Sequence, residues 1–159
     1  MTPVIRPATA ADVPAIAELI RGLAHYEKLE QDVTMTEALL TRNLFGPHQY
    51  AETLLAEEAG KPIGFALFFH NFSTFLALPG IYLEDLFVVP EQRGNGVGRA
   101  LLKELARIAV ERGCGRLEWS VLDWNRDAIG FYERLGAKPN SEWTVYRLAG
   151  EALAELGRE

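Results

Sequence analysis

The chain has 159 residues, 48% hydrophobic and 24% charged, a composition typical of a soluble globular domain that can bury a sizeable core. Its 22 acidic side chains outnumber its 16 lysines and arginines, and the resulting net charge of −6 argues against a general nucleic-acid binder. The single cysteine, Cys114, excludes an intrachain disulfide, and no apolar run approaches the roughly 20 residues of a membrane span. We therefore expect a cytoplasmic protein without a signal peptide.

Capping residues and apolar spacing define the elements of the first half. Thr9, followed by Asp12, is a helix N-cap, and apolar residues then recur at helical spacing. Thr36 opens a second helix, which Gly46 and the proline after it stop. The predicted elements are an edge strand over 3–7, helices over 13–24 and 37–45, strands over 50–58, 63–72 and 81–89, and turns at 59–62 and 78–80.

The second half alternates strands and helices. Residues 81–89 are nearly all apolar, as expected for a strand buried on both faces. The elements predicted after it are a helix over 97–112, a strand over 117–122, a helix from the Asn125 cap to 135, a last strand over 143–148 and a short helix from 151. This order predicts a single domain over 1–159, a mixed α/β layer structure whose step from 81 to 122 is a parallel crossover.

Three alternate glycines stand in EQRGNGVGRALL, where a buried strand ends and a helix begins. Amide N–H groups at a helix start have no internal partner, and the helix dipole favours negative charge there, so we expect a phosphate site to which Arg93 and Arg99 add charge. The nucleotide-triphosphate loop needs a Gly-Lys-Ser/Thr that is absent, and the dinucleotide fingerprint needs glycine where Arg99 stands. The alternative is a glycine-rich turn that only connects strand to helix.

Two carboxylates, Glu84 and Asp85, lie inside the apolar run IYLEDLFVV. An unpaired buried carboxylate is costly, so each needs a partner, access to water or a raised pKa. A structural ion pair, or a bulge that exposes one acid, explains them as well as catalysis does. Tyr132 lies on an apolar stripe typical of core packing, and Asn125 is the cap of its helix.

Four segments resemble the GNAT superfamily of N-acetyltransferases: IRPATAADVPAIAELIRGLAHYEKLE, IGFALFF, YLEDLFVVPEQRGNGVGRALL and DWNRDAIGFYERLGA. They are most similar to its diamine (spermidine/spermine) and thialysine acetyltransferase group. The family's acetyl-CoA pyrophosphate signature, R/Q-x-x-G-x-G/A, matches Arg93-x-x-Gly96-x-Gly98. The resemblance implies the GNAT fold, a central and mostly antiparallel sheet with a parallel central crossover, flanked by helices. It also implies transfer of an acetyl group from acetyl-CoA to a small primary amine by direct attack.

The resemblance further implies roles for individual residues. Glu84 matches the glutamate thought to accept the amine proton through water, and Tyr132 matches the general-acid tyrosine. Tyr26 and Glu27 match positions that line the amine groove, which Glu84 and Asp85 complete. The residues implied to contact acetyl-CoA are Leu86, Phe87, Val88, Arg93, Gly94, Asn95, Gly96, Val97, Gly98, Arg99, Asn125 and Ala128.

The sequence is compatible with several acceptor amines. A further substrate-side acid of the diamine enzyme falls at or near Thr144, with Glu142 close but out of register, so a smaller amine or an amino acid with a side-chain amine fits as well as a polyamine. The resemblance implies a homodimer. We expect no metal, because His25, His48 and His70 lack ligand spacing. Alternatives are a non-catalytic acyl-CoA-binding module and a protein or peptide N-acetyltransferase.

Overall fold

The computed structural model describes residues 2–159, which form two compact units, the first ending at Ser120 and the second running from Val121 to Glu159. Across these residues there are five strands: β1 (Val4–Pro7), β2 (Glu52–Glu58), β3 (Lys61–Ser73), β4 (Leu78–Val88) and β5 (Leu117–Trp119). The α-helices of the same residues are α1 (Val13–Tyr26), α2 (Glu37–Phe45), α3 (Val97–Glu111), α4 (Arg126–Arg134) and α5 (Gly150–Gly157). The single domain over 1–159 stays a prediction.

The strands form one sheet in the order β1-β2-β3-β4-β5. Neighbours are antiparallel except β4 and β5, which pair in parallel where Ile81–Leu83 meets Leu117–Trp119. Helix α3 makes the connection between these two strands, which confirms the predicted crossover. None of the helices in residues 2–159 combines the length and hydrophobicity needed to cross a bilayer.

The core of the first unit lies between α1 and the sheet. One stripe of α1 buries Ile16, Leu19 and Leu23 against side chains of the sheet, among them Phe65 and Phe87. Burying one such side chain contributes about 1.5–3 kcal/mol to folding, so this stripe is the main reason why α1 docks. Helix α1 begins at Val13 as predicted, but Thr9 is not its N-cap: Thr9 precedes a 3₁₀ turn over Ala10–Asp12, and Asp12 is the N-cap of α1.

The predicted turn at Leu78, Pro79 and Gly80 is wrong. All three residues belong to β4, and the hairpin turn lies at 74–77. A Cβ on Gly80 would stand 2.4 Å from Oδ1 of Asn71, so the glycine serves a close approach between strands.

The predicted last strand over 143–148 is also wrong. This segment forms no strand, and Trp143, Val145 and Tyr146 are exposed. Its aromatic and β-branched residues favour an extended backbone, but a strand requires a neighbouring strand, and no strand within 2–159 pairs with this segment.

Candidate active site

A β-bulge places the two carboxylates of β4. Leu83 stands opposite Phe68 and Asp85 opposite Leu67, so Glu84 between them has no partner on β3. A bulge redirects side chains locally, and Glu84 is exposed while Asp85 is partly buried. Of the two structural alternatives that the sequence analysis named, the bulge is therefore present. The ion pair is absent, because neither carboxylate forms a salt bridge with any of residues 2–159.

Glu27, Glu84 and Asp85 form a group of carboxylates that we call the acidic wall. The pKa of Asp85 is raised to about 6, first by burial and then by the negative charges of Glu84 and Glu27. Burial also raises the pKa of Glu27, the residue that follows the last turn of α1. Negative charge that is sheltered from water and lacks a cation favours a positively charged ligand.

The far edge of β4 presents backbone groups beyond its pairing with β5. The last pair between the two strands joins Leu83 to Trp119, and no strand of the described residues continues along that edge. The Val89 N–H donates to the Ile63 carbonyl at 2.9 Å on the β3 side. Because successive residues of a strand point their amides to opposite sides, the N–H groups of Val88 and Leu86 face the open edge.

The loop between β4 and α3 is built to expose amides. Gly94 and Gly96 have φ values of +82° and +81°, and a Cβ on either would meet nothing within 4 Å. Glycine is therefore needed there for its left-handed backbone. From Gly94 to Arg99, no backbone carbonyl of residues 2–159 accepts an amide N–H, and the first such bond runs from Ala100 to Gly96 at 3.0 Å. Consecutive free amides at a helix start fit a diphosphate.

The two arginines of this loop differ in their contacts. The Arg93 guanidinium lies 4.3 Å from the ring centroid of Tyr26 and 5.4 Å from that of Phe87, and its Nε donates to the Val88 carbonyl at 3.0 Å. The Arg99 side chain is exposed and forms no ion pair or hydrogen bond with any of the described residues. The Arg93 side chain is also exposed, and its Nη atoms form no hydrogen bond with any of the described residues, so its predicted phosphate contact stays a prediction.

The remaining candidates lie in the second unit, on α4. Asn125 is 8% exposed and its side-chain oxygen accepts the Ala128 N–H at 3.3 Å, which confirms the predicted cap. Tyr132 is partly buried, with its ring centroid 5.5 Å from that of Phe131. The cofactor contacts of Asn125 and Ala128 and the general-acid role of Tyr132 stay predictions.

Phe87, expected among the cofactor contacts, has its side chain in the core at 5% exposure, and its amide faces β3 by the alternation above. The contact between Arg93 and Tyr26 was not predicted. Within residues 2–159, no group of three His, Cys, Asp or Glu side chains is placed to hold a metal ion.

Comparison with known proteins yields matches along almost the whole chain. The profile of the Acetyltransferase (GNAT) family matches residues 15–137. The chain is 39% identical to thialysine N-epsilon-acetyltransferase of Bos taurus over 96% of this chain and 95% of that one. It is 34% identical to L-ornithine N5-acetyltransferase NATA1 of Arabidopsis thaliana, over 97% and 87% of the two chains. A solved integron cassette protein from the mobile metagenome of V. cholerae has a TM-score of 0.83 at 29% identity, with 100% and 99% coverage.

Proposed function

This chain belongs to the acetyltransferase (GNAT) family and is an N-acetyltransferase, and we propose that it transfers the acetyl group of acetyl-CoA to a primary amine of a small molecule. The proposed acceptors are polyamines, diamines and amino acids of the thialysine or lysine type, each attacking directly in a ternary complex. The acidic wall is the observation that carries this proposal, because its carboxylates form no salt bridge within residues 2–159 and a cationic amine would supply one. The acceptors named for the two relatives are both amino acids with a side-chain amine.

The acceptor side must bind an ammonium ion and then deprotonate it. A primary amine has a pKa of about 10.4, so the free base costs roughly 4–5 kcal/mol at neutral pH. Asp85 and Glu27 attract the ammonium, and its charge brings the pKa of Asp85 back down because an opposite charge favours the carboxylate. Glu84, exposed in the bulge, reaches solvent and accepts the proton through a water molecule.

The donor side holds the thioester that acetyl-CoA supplies. The amides from Gly94 to Arg99 bind the diphosphate, with the Arg99 guanidinium adding charge. The N–H groups of Leu86 and Val88 bind the extended arm and face the carbonyl oxygen as negative charge develops on it. Tyr132 donates a proton to the departing thiolate, whose pKa is about 8.5 when free. Asn125 and Ala128 contact the same arm.

The remaining parts of the proposal follow the family. The protein acts in the cytoplasm as a homodimer, takes acetyl-CoA as its co-substrate, and uses neither a metal nor a nucleic-acid partner. Light scattering that gives the mass of a monomer at working concentration would contradict the dimer.

A substrate screen at fixed acetyl-CoA tests the function. Polyamines, diamines, thialysine, lysine and ornithine are compared with peptides that carry a free N-terminus or lysine, and the released thiol is measured. We expect turnover with small amines. Heat from acetyl-CoA in calorimetry without turnover of any amine would instead support the binding module, and preferred turnover of peptides would support the protein acetyltransferase.

Two variants then test the catalytic roles. Tyr132→Phe keeps the ring and removes the proton, so we expect kcat to fall by about 10²-fold or more while the Kd of acetyl-CoA is unchanged. Glu84→Gln removes the acceptor of the amine proton, and the pH dependence of kcat/KM should change on its acidic side. Wild-type kcat in the first variant, or an identical pH profile in the second, removes that residue from the mechanism.

A further inference from the structure

The Arg93 side chain is exposed, and its guanidinium lies over two aromatic rings. Its guanidinium lies 4.3 Å from the Tyr26 centroid and 5.4 Å from the Phe87 centroid, and its Nε bonds to the last carbonyl of β4. Tyr26 is the last residue of α1, while Phe87 and Val88 both belong to β4. One side chain of the loop at residues 93–99, which we call the donor loop, thus joins two elements.

The surface of α1 explains why the guanidinium fits there. Gly22 and Tyr26 are one helical turn apart and share a face. A Cβ on Gly22 would stand 3.0 Å from the ring of Phe87, so the helix is close to β4 at this point, and Tyr26 packs against the same core cluster. The Tyr26 ring therefore ends beside Phe87, where the guanidinium can meet both rings.

Tyr26 is followed directly by Glu27, whose negative charge acts on Asp85. Tyr26 is the last residue of α1 and Glu27 is its C-cap, so a contact that holds Tyr26 also holds the backbone from which Glu27 extends. The contact made by Arg93 therefore bears on the spacing within the acidic wall. Arg99, exposed and without a polar partner among residues 2–159, is the arginine of the loop that is available to a diphosphate.

The geometry points to Arg93 as a positioning residue that fixes the amine-binding end of α1 against the donor loop, and not as a phosphate ligand. This inference rests on the proposed function, which assigns the loop at residues 93–99 to acetyl-CoA and the end of α1 to the acceptor amine. Because Arg93 belongs to the loop whose amides are proposed to hold acetyl-CoA, its contacts connect the donor side to Tyr26 and so to Glu27. The donor loop thereby helps to set the affinity for the acceptor amine.

The test compares Arg93→Gln with the matched variant Arg99→Gln, which removes the same charge from the same loop. For Arg93→Gln we expect the acceptor KM to rise about fivefold to tenfold, the scale of one lost cation–π contact and one hydrogen bond. The Kd of acetyl-CoA, measured by calorimetry, should change less than about twofold for this variant and rise several-fold for Arg99→Gln. Weaker acetyl-CoA binding by Arg93→Gln with an unchanged acceptor KM overturns the inference and makes Arg93 a phosphate ligand.

A double-mutant cycle separates this inference from the proposed function. Tyr26→Leu and Arg93→Gln are made singly and together, and urea unfolding is measured without any substrate. We expect the two changes in the free energy of unfolding to be non-additive, so that the double variant is about as stable as the less stable of the two single variants. Additive changes overturn the inference even when the wild type is active. Non-additive changes with no wild-type turnover of any amine keep the contact and refute only the proposed function.

Discussion

Two groups of carboxylates in the first unit have opposite electrostatic environments. Near β1, the Arg6 guanidinium donates two 2.8 Å bonds to the Asp12 carboxylate and also bonds to Glu57. This pairing holds the pKa of Asp12 well below its usual range. In the acidic wall, burial and like charges raise the pKa of Asp85 instead. The first group stabilises the fold, while the second costs stability, as expected of the proposed binding site for a cationic amine.

The contrast separates structural acids from functional ones without reference to any relative. A carboxylate that the fold satisfies makes its charge-assisted hydrogen bonds in the free protein. A carboxylate kept for a cationic ligand stays unpaired until that ligand arrives. The same conservative change, Asp to Asn, should therefore have opposite effects on stability in the two groups.

The largest expected effect is at Asp85. In the folded chain its pKa is about 6, against an ordinary value of 3.8, so above about pH 6 the fold carries a penalty that the unfolded chain lacks. Converted at about 1.4 kcal/mol per pKa unit, the upper bound of this penalty is roughly 3 kcal/mol. Asp85→Asn should raise the free energy of unfolding by about 1–3 kcal/mol near pH 8 and lower kcat/KM for amines.

The pH dependence gives this prediction its control. Below about pH 3 the carboxyl is protonated in both the folded and the unfolded chain, so variant and wild type should be equally stable there. The gain should grow between about pH 3 and 6 and then level off. Urea unfolding across this range measures it, and an Asn variant less stable than wild type near neutrality would mean that Asp85 has a cationic partner in solution.

Asp12→Asn is the matched change in the paired group. Here the folded pKa is depressed, so the carboxylate contributes stability above its ordinary pKa and loses it as the pH falls. We expect a loss of about 1–2 kcal/mol at neutral pH, because the pair is bidentate but partly exposed. The loss should shrink on acidification, and an equal loss at every pH would indicate a packing defect instead of a lost charge.

Much of the fold follows from local signals in the sequence. Helix α2 has the bounds that Thr36 and the Gly-Pro pair predict, and the cap of α4 forms at Asn125 as expected. The mistake at Gly80 has a tertiary cause, since the reason for the glycine is Asn71 on the facing strand. Local turn chemistry cannot reveal a contact of that kind.

In the candidate site, too, local features follow from the sequence while contacts between distant segments do not. The glycine pattern predicts the loop of free amides, because its effect on the backbone is local. Sequence alternation alone cannot decide between Glu84 and Asp85, because the bulge that exposes one of them depends on the register with β3. Tyr26, one of the three partners of Arg93, lies far away in the sequence, and its helical spacing from Gly22 is the only local sign of the contact.

The smallest effect on stability is expected for Glu84→Gln. The side chain is exposed and forms no salt bridge within 2–159, so Glu84→Gln should change the free energy of unfolding by less than about 0.5 kcal/mol. The change should be a slight gain, because the Glu84 charge helps to raise the pKa of Asp85 and its removal lowers that pKa. Combining it with Asp85→Asn provides the control, since the gain should then vanish. A clear loss of stability would move Glu84 into the structural group, together with Asp12.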